Sequence, residues 1–274
     1  MEPLLDRLNE AVAFIKRKTD FQPEYGIILG TGLGNLVSHI TIAYEINYSL
    51  IPHFQVSTVE SHSGKLIFGT IGNKKVVAMQ GRFHYYEGYT MEEVVFPVRT
   101  MKLLGIKRLF ISNAAGSLNA DINKGDLMIL RDHINLQPSN PLIGPNEYDL
   151  GPRFPDLFRC YDTAMIEQAM DIAKKNNIRC HSGVYVSVPG PNLETPAEYN
   201  YLHIIGGDAV GMSTVPEVLA AVHMSLPVFA ISVITDKGYP ADEIEPVTVD
   251  DVIAVAKEAE PKMTLILQQL INSL

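Results

Sequence analysis

The chain has 274 residues, 46% hydrophobic and 19% charged, with no tryptophan; such a composition can bury a sizeable core and excludes a disordered chain. The formal net charge is −9 and the lysines and arginines are dispersed, which excludes a phosphate-tracking nucleic-acid surface, so an anionic ligand has to be held locally. Two cysteines, Cys160 and Cys180, have neither Cys-x-x-Cys spacing nor a nearby His pair, which argues against a disulfide framework or a zinc site and for a reducing compartment. Glu2, Asp6, Glu10 and Asp20 interrupt the apolar positions of the first twenty residues, and no apolar run approaches about 18 residues, so neither a signal peptide nor a membrane span is expected and the cytoplasm is the predicted location.

One domain over residues 1–274 is expected, because a single large α/β unit can absorb this length. Leu4, Leu5, Leu8, Ala11, Val12 and Ile15 recur at helical spacing and predict an opening helix that ends near Lys18. Residues 25–29 read as a short buried strand that runs into the loop Gly30-Thr31-Gly32-Leu33-Gly34. Residues 66–71 and 75–79 flank the turn pair Gly72-Asn73, a hairpin signal, so part of the sheet should be antiparallel. From residue 90 helices and strands alternate, with apolar strands expected at 109–112, 127–130, 184–188, 209–212 and 228–234, in a mixed sheet covered on both faces. Capping boxes are predicted at Thr90/Glu93, Thr195/Glu198 and Thr214/Glu217. Residues 138–155 are too irregular for a core element and too long for a simple connection, which marks a functional loop or subunit contact. A helical pattern over 248–273 closes the chain, with Pro261 inside it as a candidate kink.

Several segments carry residues suited to chemistry. The glycine loop at 30–34 is G-x-G-x-G with no room for a crossover helix before residue 41, so the dinucleotide fingerprint is discounted; it reads either as an anion cradle with the Thr31 hydroxyl or as an ordinary turn. The loop Gly81-Arg82-Phe83-His84-Tyr85-Tyr86-Glu87-Gly88-Tyr89 gathers a two-pronged cation, an imidazole and three tyrosines, a density costly for a mere connector. Ser112-Asn113-Ala114-Ala115-Gly116 ends an apolar strand in small residues that let a ligand approach the backbone. Ser213 stands beside a helix N-terminus, as an anion ligand or a second capping hydroxyl. Glu194, before another helix start, is either aimed at the same edge of the sheet or a surface acid satisfying the helix dipole. Asp236 follows a strand end, where catalytic carboxylates and turn formers both occur.

Together these segments, with Ser61-His62-Ser63-Gly64, Gly190-Pro191-Asn192-Leu193-Glu194-Thr195 and Gly211-Met212-Ser213-Thr214-Val215-Pro216-Glu217, resemble the trimeric purine nucleoside phosphorylase family, which includes the methylthioadenosine phosphorylases, over nearly the whole chain. The resemblance implies a single-domain α/β fold with a mixed, partly barrel-like sheet flanked by helices, and reversible phosphorolysis of purine (2′-deoxy)ribonucleosides to free base and (deoxy)ribose 1-phosphate. It implies a phosphate site of Thr31, Arg82, His84, the Ala114 N–H and Ser213 with His62 nearby. Tyr86 and Met212 would line the ribose, and Glu194 and Asp236 would face the purine, with His84 as the third catalytic group. Asn113, Leu193, Val210, Thr235 and Val249 would complete the nucleoside site. Phe154 matches an aromatic residue lent by a neighbouring subunit, which implies a homotrimer. Inorganic phosphate is then a co-substrate, and neither an organic cofactor nor a metal is called for.

The pattern departs from the family at three places. Asp236 stands where most members carry Asn; an ionised carboxylate cannot donate to N7, so Asp236 is either protonated or accepts from a 6-amino group. Glu194 pulls the other way, because an ionised Glu accepts from the N1–H of 6-oxopurines. Val249 replaces a common His near the ribose 5′ group, as in methylthioadenosine phosphorylases, and Leu193 replaces an aromatic. The expectation is a preference for 6-oxopurines, with 6-aminopurine or methylthioadenosine phosphorolysis as the alternative. A phosphate-independent nucleoside hydrolase would leave Thr31, Arg82, His84 and Ser213 without a purpose, and a catalytically silent purine-binding protein is the rival from another class.

Overall fold

The computed structural model describes residues 2–274 except 31–32 and 57–63. Thr31, Ser61, His62 and Ser63 therefore lie outside the described residues. The chain opens with helix α1 (Leu4–Lys18), whose Leu8, Ala11, Val12 and Ile15 are buried at the predicted spacing. Strand β1 (Tyr25–Leu29) is followed by a 3₁₀ turn (Gly34–His39) and β2 (Thr41–Asn47), so the first glycine loop opens no crossover helix. The hairpin is β3 (Lys65–Ile71) and β4 (Lys74–Gln80).

Helix α2 (Met91–Leu103), β5 (Arg108–Ser117) and β6 (Leu127–Asn135) come next, then α3 (Thr163–Lys175), β7 (Cys180–Ser187) and α4 (Pro196–Ile204). The chain ends with β8 (Ala209–Gly211), α5 (Val215–His223), β9 (Val228–Lys237) and α6 (Val249–Ser273), the last containing Pro261. The alternation expected after residue 90 is broken once, because β5 and β6 are joined without a helix. Strand β5 also runs on through Asn113-Ala114-Ala115-Gly116, which the apolar pattern places at its end: β9 pairs with all four of these small residues, and β8 joins at Gly116.

The nine strands of the described residues join one mixed sheet in the order β2-β3-β4-β1-β5-β8-β7-β6-β9, and β9 pairs back onto β5. Strands β5, β8, β7, β6 and β9 thus form a closed ring, while β1 to β4 extend from it as an open wing. Successive residues of β9 fall into different cores. Val228, Ala230 and Ile234 pack with α1, α2 and α5, whereas Phe229, Ile231 and Val233 pack with α3 and α6, because side chains alternate across a strand and both faces are covered. Phe110, fully buried between Tyr25 and Phe229 at ring separations of 5.9 and 6.2 Å, anchors the second core. Phe110→Ala is expected to cost about 3–5 kcal/mol of stability, read as a shift of the urea midpoint at constant slope; a cost below about 1 kcal/mol would show that this site collapses around the void.

Candidate active site

The carboxyl ends of β1, β4, β5, β7, β8 and β9 converge on one cavity of about 440 Å³, a size suited to a small-molecule ligand. Of the residues expected to bind phosphate, Arg82, His84, Ala114 and Ser213 all line it. Tyr86, Asn113, Val210 and Met212 line it as well, as do Leu193, Glu194, Thr235, Asp236 and Val249. Phe154 does not. It is 87% exposed in the irregular stretch between β6 and α3, where the Arg153 guanidinium lies 5.8 Å over its ring. The N–H of Gly30, which also borders the cavity, donates to Ser112 Oγ at 3.2 Å, so that loop's first amide is committed to the strand beside it.

At one end of the cavity a buried polar cluster fixes a cation. Arg82 donates from Nη2 to the Ser112 carbonyl at 2.8 Å and from Nη1 to Ser213 Oγ at 2.5 Å and Thr214 Oγ1 at 3.3 Å, while its Nε lies 3.6 Å from Glu217. Asn113 Nδ2 donates to the same Thr214 hydroxyl at 2.9 Å. The Thr214/Glu217 pair is thus not the capping box that its spacing predicts. Thr214 has φ 72° and ψ −53°, and the N–H of Val215 donates to the Ser213 carbonyl at 2.8 Å, which makes a γ-turn of the rarer, strained hand. That backbone directs the hydroxyl to Arg82 and Asn113 and leaves Glu217, 2% exposed, to face the guanidinium. The other two boxes, at Thr90 and Thr195, form as expected, and a further one closes at Thr248/Asp251.

His84 is held from behind. Glu87 Oε1 accepts from the His84 backbone N–H at 2.8 Å and lies 3.1 Å from Nδ1, and the Tyr86 ring stacks on the imidazole at 4.6 Å. Burial pulls the His84 pKa below its ordinary value, against the opposing hydrogen bond to Glu87 and with the Arg82 charge adding to the fall, which favours the neutral ring. Burial also pushes the Tyr86 hydroxyl up to about 12, which keeps it protonated.

The opposite end carries two carboxyls. Between β5 and β9 the register slips at Ala115/Gly116, where Gly116 pairs with Asp236 and leaves Thr235 over. This bulge explains why two consecutive strand residues, Thr235 and Asp236, both reach the cavity. A Cβ on Gly116 would sit 2.6 Å from Asp236 Oδ2, so a larger residue there would push that carboxyl aside. Thr235 Oγ1 donates to Asp236 Oδ1 at 2.8 Å, and the hydroxyl of Tyr199 on α4 donates to Oδ2 at 3.4 Å. Desolvation raises the pKa of both Asp236 and Glu194, and the Asp236 charge raises Glu194 further. Thr214, Glu217, Glu87, Tyr199 and Gly116 are the supporting residues that local pattern misses. The motifs around Arg82 and Ser213 contain three of them, but only the fold shows which way they face. Outside the cavity, both cysteines are unpaired; Cys160 Sγ lies 3.8 Å from His133 Nδ1, and burial pushes its thiol up to about 11.

A family profile described as the phosphorylase superfamily matches residues 24–272. The chain belongs to that superfamily. Among superfamily members, it is 49% identical to purine nucleoside phosphorylase 1 of Bacillus subtilis over 93% of this chain and 94% of that protein. It is 44% identical to the Bos taurus purine nucleoside phosphorylase over 97% and 94%. The Schistosoma mansoni purine nucleoside phosphorylase solved with adenosine superposes with a TM-score of 0.93 at 41% identity, covering 98% of both chains. A schistosome purine nucleoside phosphorylase solved with hypoxanthine gives 0.92 with the same identity and coverage.

The raised carboxyl pKa values carry a stability consequence. A buried acid whose folded pKa exceeds its unfolded value imposes no cost below the unfolded pKa, and destabilises as pH rises through the folded one. Asp236→Asn is therefore expected to raise the unfolding free energy at pH 7 to 8, with the gain vanishing below about pH 4. Urea titrations across that range check it; a gain that persists in acid would trace to packing instead of charge.

Proposed function

We infer that this chain is a purine nucleoside phosphorylase, a pentosyltransferase that reversibly cleaves purine (2′-deoxy)ribonucleosides with inorganic phosphate. One observation carries the reading: a single cavity has a guanidinium and hydroxyl cluster at one end and two buried carboxyls at the other, in a chain whose relatives bear that name. Arg82, Ser213 and the Ala114 N–H would grip phosphate, with Thr31 and His62 joining them. With Nδ1–H turned to Glu87, neutral His84 presents Nε2 as an acceptor for the hydroxyl of hydrogen phosphate. Tyr86 and Met212 flank the sugar, and Val249, 71% exposed at the rim, faces the 5′ side.

As the glycosidic bond breaks, positive charge grows on the ribose and negative charge on the purine. Phosphate beside the sugar answers the first, and donors at the base end answer the second, so catalysis is positioning plus preorganised electrostatics, with no cofactor or metal. An ionised Glu194 is an acceptor that matches N1–H, and 6-oxopurines are accordingly the favoured substrates. Phe154, Phe158, Ile143 and Tyr148, all strongly exposed on one irregular stretch, support a homotrimer in which Phe154 covers a neighbour's sugar. The two unpaired cysteines fit a cytoplasmic enzyme.

Phosphate-dependent release of base from inosine, guanosine, adenosine and methylthioadenosine tests the reading, with ribose 1-phosphate as the expected product for inosine and guanosine; free ribose, or no turnover of any of the four, would overturn it. Arg82→Ala is expected to lower kcat/KM for phosphate about 10²–10³-fold while hypoxanthine binding by calorimetry changes little. Equal losses in both would remove its assigned role.

A further inference from the structure

Thr214 is fully buried behind the stretch of cavity wall that Ser213 and Asn113 form. Its hydroxyl oxygen meets three groups: Arg82 Nη1 at 3.3 Å, Asn113 Nδ2 at 2.9 Å and Ser213 Oγ at 3.1 Å. The two nitrogens can only donate. They occupy both lone pairs of the Thr214 oxygen, so in the third contact Thr214 is the donor and Ser213 the acceptor. Ser213 Oγ also accepts from Arg82 Nη1 at 2.5 Å. With the Thr214 hydrogen both of its lone pairs are filled, and the one capacity left to the Ser213 hydroxyl is to donate.

We propose that Thr214 is a positioning residue that sets the polarity of the phosphate end: by giving its own hydrogen to Ser213, it commits the Ser213 hydroxyl to donating to an oxygen of the bound anion. Were the contact reversed, the Ser213 hydrogen would be used inside the wall, and the anion would meet a lone pair. The strained backbone is the means. In an ordinary N-cap conformation the Thr214 oxygen would accept from the N–H of a residue two or three further along the helix; at φ 72° it makes no such bond, and both lone pairs are left for Arg82 and Asn113. The Ser213 peptide is fixed at the same time. Its N–H donates to the Tyr185 hydroxyl at 3.4 Å, and its carbonyl accepts from Ser187 Oγ at 3.1 Å and from the Val215 N–H at 2.8 Å.

The proposal rests on the reading that this end of the cavity holds phosphate, and the test separates the two. Inorganic phosphate and hypoxanthine binding by calorimetry, and the KM values for phosphate and inosine, are compared in the unmodified enzyme, Thr214→Val, Thr214→Ser, Ser213→Ala and the double variant Ser213→Ala/Thr214→Val. Valine keeps the β-branch and removes the hydroxyl. It should raise the Kd and KM for phosphate about 10–100-fold, while the inosine KM and the hypoxanthine Kd change little. Serine at 214 should restore phosphate binding. In the Ser213→Ala background, Thr214→Val should add a factor of about two at most, because the hydroxyl it acts through is already gone. Equal losses for phosphate and hypoxanthine, full additivity in the double variant, or no recovery with serine would reduce Thr214 to packing or to a support of Arg82 alone. Thr214→Ala carries the same arms if the valine variant does not fold. An unmodified enzyme that binds phosphate but does not turn over inosine overturns the phosphorylase reading and leaves the calorimetric arms to decide the role of Thr214; one that binds no phosphate overturns both.

Discussion

The parallel pairing of β5 with β9 is the constraint on which the rest of the molecule depends. It closes five strands into a ring, and it lays Asn113 and Ala114 on one strand beside Thr235 and Asp236 on the other. The ring leaves the open wing of β1 to β4 attached at β1, which places Arg82 and His84, just past the end of β4, at the same rim. One slip in this ladder, opposite a residue with no side chain, turns two neighbouring residues into the cavity together.

The polar groups at the two ends are arranged in opposite senses. At the Arg82 end a buried guanidinium is surrounded by acceptors, with Glu217 as counter-charge and the strained Thr214 turn supplying a hydroxyl. Such a cation is fixed before a ligand arrives, so little reorganisation is left for the moment of reaction. At the other end two acids are desolvated and near enough to feel each other, which favours protonation of at least one. Both arrangements are unfavourable for the empty protein, in line with the general cost of strained and charged groups held for function.

Support for these groups comes from elements far away in sequence. Glu217 reaches Arg82 from α5, Tyr199 reaches Asp236 from α4, and Ser112 receives the guanidinium through its carbonyl. Each helix that supplies such a residue also packs its apolar side on the sheet, so the same packing that stabilises the fold holds the site in register.

The sequence by itself determined whatever depends on near neighbours. Helix α1 follows from apolar spacing, the β3–β4 hairpin from Gly72-Asn73, and the caps at Thr90 and Thr195 from a glutamate three residues on, because each is decided within a few residues. The ordered set of short motifs also pointed to the residues of the cavity. Only the tertiary structure decided the closure of the ring, since β5 and β9 lie about 120 residues apart in the chain and no local pattern records their pairing. It also decided that Thr214 turns away from its cap: the hydroxyl's partners, Arg82 just past β4 and Asn113 on β5, are distant in the chain, and a local capping signal loses to a network of buried groups.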